Sequence, residues 1–252
     1  MPFTEDLSTR VKNLLAAAVA LMLIGTAFGV QMITNPPEAA PFDLLPTMLR
    51  GLNITIQLTV FGALLALVVA IFTGVLRASP FFPIRAITGL YVEVFRGTSV
   101  LVQMFWMVFV LPQLGLNLSP LQAGILALGL NVGAYGAEVV RGAIKAIPRG
   151  QIEAATALNM SPGLMMRRVI LPQAMVRILP PFGNLLIELL KATSLASLIL
   201  LADVTFQAQT LRQSVGVARI TEIYGLLLVI YFVISYPLTL GVRWLESKRR
   251  WA

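Results

Sequence analysis

The chain has 252 residues, 58% of them hydrophobic and 12% charged, whereas an ordinary soluble domain runs at about 45–50% apolar and 25% charged, so its natural solvent is a bilayer. It has no Cys and no His, which excludes disulfides, thiol nucleophiles, Cys/His metal sites and histidine acid–base chemistry. The net charge of +8 points to nucleic acid only if the basic residues are not collected on one side of a membrane.

A spanning helix needs about 20 mostly apolar residues. The first apolar run, Asn13 to Pro37, is flanked by Arg10, Lys12 and Glu38. It exceeds the ~7–15 residues of a signal h-region and shows no clear small-x-small site, so it reads as a retained anchor over Leu14 to Ile33. Gly51 to Leu76 is uncharged and ends at Arg77, and Ser79-Pro80-Phe81-Phe82-Pro83 predicts a turn. The uncharged stretch from Gly97 to Ala137 is too long for one crossing. Pro112 and Leu116-Asn117-Leu118-Ser119-Pro120 divide it into helices predicted over 90–111 and 120–141.

From Ala143 to Pro181 the chain carries Lys145, Arg149, Arg167, Arg168 and Arg177 among five prolines, which predicts a segment outside the membrane. Two more spans are predicted, Phe182 to Ala202 and Ile223 to Leu245, before Ser247-Lys248-Arg249-Arg250. The reading is an all-α polytopic membrane protein with six helices and both termini cytoplasmic. That topology puts Arg10, Lys12, Arg77, Arg85, Arg141, Lys145, Arg149, Arg167, Arg168, Arg177 and the basic tail inside. Only Arg50, Arg212 and Arg219 fall outside, the asymmetry expected of a membrane protein, and it accounts for the net charge without nucleic acid.

Within the cytoplasmic segment the residues predict two short helices. The first covers Arg149 to Leu158 and closes at Asn159, a residue that tolerates the left-handed conformation of a helix C-terminus. Ser161 then caps a second helix with Pro162 at its first position, and Pro172 is expected to end it. Ala154, Ala155 and Ala157 allow a close approach by another surface, and Glu153 offers a charge-assisted bond to a basic partner. An amphipathic hairpin lying on the headgroups is the alternative on physical grounds.

Glu153-Ala154-Ala155, a turn residue four positions later and Val169-Ile170-Leu171-Pro172 resemble the signature loop of importer-type ABC transporter permeases. Asn159 stands where that family usually has Gly. Glu93-Val94-Phe95-Arg96-Gly97-Thr98, Asn131 to Glu138 and Leu190-Lys191-Ala192-Thr193-Ser194-Leu195 resemble the polar amino acid permease subfamily, with Ser99 and Ala192 where Pro and Asp are commoner. Asn184-Leu185-Leu186-Ile187-Glu188 is similar to ectoine/hydroxyectoine permeases.

The resemblance implies a five-helix permease core plus one N-terminal helix. Residues 1–44 would form the anchor and first external loop, 45–246 the permease domain with a coupling loop at about 143–180, and 247–252 a basic cytoplasmic tail. It implies that Gly150, Glu153, Ala154, Ala155, Leu158 and Asn159 dock an ABC ATPase. The expected partners are ATPase subunits, a second permease subunit (identical or a paralogue), an extracytoplasmic solute-binding protein and membrane lipid. No cofactor is expected in this chain, with ATP and Mg on the partner ATPase, and the location implied is the bacterial inner membrane.

Three acid–base pairs sit three residues apart: Glu93 with Arg96, Glu138 with Arg141 and Glu188 with Lys191. On a helix each pair shares a face. The first two fall near cytoplasmic helix ends, where they suit fixing of helix depth. Glu188 and Lys191, followed by Thr193 and Ser194, lie deeper and are candidates for a solute pathway, as are Asn131 and Tyr135 on one stripe; helix packing is the alternative for all of them. Gly124, Gly129, Gly133 and Gly136 predict a thin helix with close neighbours. Asp203 and Arg212 are read as external loop charges, solvated or facing a binding protein.

No Gly-x-x-x-x-Gly-Lys-Ser/Thr phosphate loop occurs, so ATP would have to be hydrolysed elsewhere. The chain reads as a non-enzymatic permease subunit of an ABC importer for polar amino acids or an ectoine-like compatible solute. The competing reading is a stand-alone ion-coupled carrier, which often shows inverted repeats; no convincing repeat is present.

Overall fold

The computed structural model describes residues 41–215 and 219–247. The predicted anchor over Leu14 to Ile33 and the tail residues Lys248 to Arg250 lie outside them. The described residues are helical, with no strand among them.

Helix α1 covers Leu45–Arg77, with a tightened turn at Arg50 and Gly51. Helices α2, Phe82–Gly97, and α3, Val100–Leu114, meet at a bend of 103°. Helix α4 is Pro120–Lys145, α5 is Arg149–Ala157 and α6 is Pro162–Ile199. Helix α7 is Val204–Val215 and α8 is Ile220–Ser247. Four of these are long and apolar enough to cross a membrane, five if the α2–α3 pair counts as one broken span.

Helix α4 forms the centre because it is thin. Its Gly124, Gly129, Gly133 and Gly136 lie directly on Leu58, Leu65, Val69 and Ala70 of α1, and in return Gly74 of α1 leaves room for Val140, whose Cβ would lie 2.5 Å from an added methyl. The resulting core joins Leu58, Ala66, Ala70, Leu128, Val132, Val140, Ile178, Phe182 and Leu189. Close packing of small-residue faces is how apolar helices associate where lipid offers no hydrophobic drive. A second cluster, Leu44, Met48, Val204, Ala208, Ile223, Leu226 and Ile230, ties the start of α1 to α7 and α8.

Several predicted boundaries move. The third span begins at Phe82 instead of 90, since Pro83 suits a first helical turn, and it breaks at Thr98 and Ser99, both extended. Pro172 does not end the second cytoplasmic helix, and α6 does not begin at Phe182: one helix runs from Pro162 to Ile199. Residues Met166–Ile170 form a single wide π turn immediately before Pro172, which accommodates a residue without an N–H where hydrogen bonding changes register. The last seven residues, Thr193–Ile199, tighten into a 3₁₀ turn. The hydroxyls of Thr193, Ser194 and Ser197 each donate to the carbonyl three residues earlier, at 2.7–2.9 Å, a competition that favours the tighter winding. Leu200, with φ +62°, closes the helix.

Candidate functional site

The hairpin of α5 and the start of α6 follows from local chemistry. Asn159 has φ +55°, and the amides of Asn159 and Met160 donate to the carbonyls of Thr156 and Ala155 at 2.9 and 3.1 Å. This is the paired closure of a Schellman turn, with Asn in place of Gly. The Ser161 hydroxyl accepts the Leu164 amide at 3.4 Å. Arg177 donates to the Ala146 carbonyl at 3.0 Å, tying the base of the hairpin to α4. Gly150, Glu153, Ala154, Leu158 and Asn159 are exposed, and Leu158 is 76% exposed. Ala155 is 3% exposed and faces its own chain, so the small residue at that position serves internal packing.

Of the three acid–base pairs, only Glu138 and Arg141 close as an ion pair, with Arg141 Nε 3.0 Å from Glu138 Oε2. Glu138 also takes Arg77 at 2.7 Å, and Arg77 reaches Glu93 at 3.8 Å. One network therefore pins α1, α2 and α4 together. Arg96 lies over the Tyr135 ring instead, 5.1 Å from its centroid.

Asn131 and Tyr135 are brought to the α2–α3 break. Asn131 Nδ2 donates to the Phe95 carbonyl at 2.8 Å and to Gln103 Oε1 at 3.2 Å. Gln103 Nε2 in turn donates to the Phe95 carbonyl, the Thr98 carbonyl and the Thr98 hydroxyl. Carbonyls freed by a bend inside a membrane must find donors, and these two amides supply them. Gln103 was missed in the sequence; its only signal was a lone amide in an apolar run.

Two concavities flank α6. The smaller, about 230 Å³, is lined by Asn131, Tyr135, Glu188 and Ala192 together with apolar neighbours. The larger, about 550 Å³, is a groove lined by Lys191 and Ser194 of α6, Thr205 of α7, and Tyr224, Tyr231 and Ser235 of α8, together with the apolar Leu227, Leu228 and Phe232. Glu188 and Lys191 thus line different spaces. Thr193 has no exposed surface and lines neither.

Asp203 is not a loop charge at the surface: it has no exposed area. Its carboxylate caps α7 by accepting the Phe206 amide at 2.8 Å and takes the Tyr231 hydroxyl at 3.3 Å, while Tyr231 and Thr205 share a hydrogen bond of 3.0 Å. Burial pushes the carboxyl up from its ordinary value, against the pull of the Phe206 and Thr205 amides. The Val204 amide donates to Thr55 at 3.4 Å. Elsewhere on the same end, Arg219 grips Asp43 through two hydrogen bonds of 2.8 and 3.0 Å and also takes Glu222; it holds the Asp43 carboxyl below its ordinary value.

Residues 66–251 match the family described as binding-protein-dependent transport system inner membrane component. A probable amino-acid ABC transporter permease, y4tF, of Sinorhizobium fredii (strain NBRC 101917 / NGR234) is 46% identical over 218 residues, covering 83% of this chain and 90% of that protein. The L-cystine transport system permease TcyB of Bacillus subtilis (strain 168) is 36% identical, covering 83% and 92%. The glutamine transport system permease GlnP of Escherichia coli (strain K12) is 34% identical, covering 84% and 97%. Among solved structures, an amino acid ABC transporter crystallised with histidines superposes with a TM-score of 0.74 at 35% identity, over 81% of this chain and 94% of that one. The inward-facing MetNI methionine ABC transporter, at 21% identity and a TM-score of 0.65 over 82% and 99%, shares the fold.

Proposed function

The chain belongs to the family of binding-protein-dependent transport system inner membrane components, and on that premise we propose that it is the multi-pass permease subunit of an ATP-driven importer of polar amino acids. The relatives named as amino-acid, L-cystine and glutamine permeases support the solute class. ATP and Mg belong to separate ATPase subunits, a second permease chain completes the pathway by symmetry, and an extracytoplasmic binding protein delivers the solute. The topology that fits is six crossings with both termini cytoplasmic. Residues 1–44 then form an anchor and external loop, 45–246 the permease domain and 247–252 the tail.

The observation that carries this reading is the exposed α5 hairpin. A nine-residue helix too short to be stable alone is closed by a Schellman turn, capped on the far side and tied to α4 by Arg177, yet leaves Glu153, Ala154 and Leu158 uncovered. Rigid and exposed together suit a docking element. ATPase closure moves α5, and because α6 continues from the hairpin through its π turn to Ile199 as one joined helix, the displacement passes into the helix that carries Glu188 and Lys191. Coupling is reciprocal: the loaded binding protein outside must favour the state that ATP favours inside.

The absence of Cys makes a direct test available. With Leu158→Cys, a short cross-linker that is thiol-reactive at one end and photoactivated at the other, so that it needs no thiol on the partner, is expected to join the permease to the ATPase subunit, while Leu116→Cys, in the turn after α3, is expected to give no such product. Equal cross-linking from both positions, or none from Leu158→Cys, would refute docking at α5.

A further inference from the structure

We propose that the 550 Å³ groove between α6, α7 and α8 receives a carboxylate group of the transported solute, with Lys191 as its anchoring cation. The proposal rests on the permease reading above and adds to it the charged group recognised and the surface that recognises it, separate from the concavity of Asn131, Tyr135 and Glu188.

Four observations carry it. Lys191 is exposed and lines the groove, and among the described residues no carboxylate forms an ion pair with it. Seven residues of 3₁₀ turn, Thr193–Ile199, separate it from the end of α6; on the proposed topology, in which that end lies at the outer face, about 2 Å per residue sets Lys191 roughly 15 Å deep, near the middle of a ~30 Å core. An ionisable residue at that depth is expected to find a partner or a watered cavity. Asp203, which lies behind the groove residue Tyr231, cannot serve: it is fully buried, and its oxygens are taken by the Phe206 amide and the Tyr231 hydroxyl. Glu188 lines the other concavity. What remains is one ammonium in a groove walled by Leu227, Leu228 and Phe232 and carrying the hydroxyls of Ser194, Thr205, Tyr224, Tyr231 and Ser235, mostly apolar with a few polar groups, and within the ~300–1,000 Å³ of small-molecule sites. That combination suits an anionic group, and the depth favours a solute over a lipid phosphate at the headgroup level.

The test uses the complete transporter, permease with ATPase and binding protein, in vesicles, supplied with radiolabelled L-glutamine, L-cystine and L-arginine. Because the unaltered permease has no Cys, Lys191→Cys places a single thiol in this chain. Aminoethyl methanethiosulfonate rebuilds a cation of near-lysine length on it, and sulfonatoethyl methanethiosulfonate installs an anion. Lys191→Cys is expected to raise KM at least about tenfold, equivalent to ~1.4 kcal/mol. The cationic reagent should return KM to within about threefold of the unaltered complex treated alike, and the anionic reagent should not. Rescue on the same folded protein separates charge recognition from assembly. An unchanged KM in Lys191→Cys, or equal rescue by both reagents, would overturn the assignment while leaving the permease reading intact if uptake remains ATP-driven. The effect should persist in vesicles of phosphatidylcholine alone; dependence on anionic lipid would overturn it in favour of a headgroup. Failure of the unaltered complex to take up any of the three with ATP would overturn the polar amino acid reading and this assignment together.

Discussion

Glu153→Lys should abolish coupled uptake while leaving the protein inserted and folded. Glu153 is exposed on α5 and forms no ion pair among the described residues, so its reversal removes nothing that stabilises the chain, and exposed substitutions of this kind usually change stability by less than about 0.5 kcal/mol. At a docked interface the same change replaces a charge-assisted bond by a like-charge contact, which costs several kcal/mol in a desolvated setting. Uptake is therefore expected to fall at least tenfold and the ATPase to be lost on purification, with an intermediate result for Glu153→Gln, which keeps the shape and loses the charge. Retention of the ATPase at normal yield together with normal uptake by Glu153→Lys would place the recognition elsewhere.

The second large effect is structural. Gly51 packs against the backbone that enters α7: a methyl added there would stand 2.3 Å from the carbonyl carbon and oxygen of Asp203 and 2.5 Å from the Val204 nitrogen. Neither the backbone of α1 nor the capped turn can give way cheaply, because Thr55 holds the Val204 amide and Asp203 is bonded on both oxygens. Gly51→Ala is expected to cost about 3 kcal/mol, at the upper end of overpacking, or roughly a 6–12 °C fall in thermal midpoint for a protein of this size. Gly142→Ala is the control. A methyl there meets nothing within 4 Å, and its midpoint should hold or rise slightly, since Ala favours a helix over Gly. Equal behaviour of the two variants would show that the 203–204 turn is not held against α1.

The parts of this molecule that were legible in the sequence are those written in local chemistry. Asn159 with Ser161-Pro162 specifies a left-handed closure followed at once by a capped start, and both appear as predicted. Gly124, Gly129, Gly133 and Gly136 of α4 announce close packing, and each of them meets α1. The break between α2 and α3 was not legible, because Thr98 and Ser99 carry no strong breaking signal. Ser99 stands where the resembled subfamily usually has Pro, and here the bend is held by the amides of Gln103 and Asn131, partners 28 residues apart. Pro172 misled for the opposite reason. It looks like a helix end, but the wide turn before it absorbs the missing N–H and α6 runs on.

Of the candidate pathway residues, Asn131 and Tyr135, read as one stripe of a helix, line the smaller concavity, and the fold brings Glu188 to the same space, which no local pattern announced. The three-residue spacing of Glu188 and Lys191 suggested a shared surface, yet the two fall on either side of the ridge that α6 presents to its neighbours. Asp203 was misread because a carboxylate in an apparent loop looks solvated. Only tertiary packing, through Gly51, Thr55 and Tyr231, buries it.

The most direct test of the account is the energy source. The chain is reconstituted with its ATPase and binding protein in vesicles, and solute uptake is followed with ATP supplied on the ATPase side while ion gradients are collapsed by ionophores. The account predicts uptake that requires ATP, needs the binding protein and is indifferent to the ionophores. Uptake driven by an imposed ion gradient without ATP, and abolished by the ionophores, would contradict it and favour a carrier that works alone.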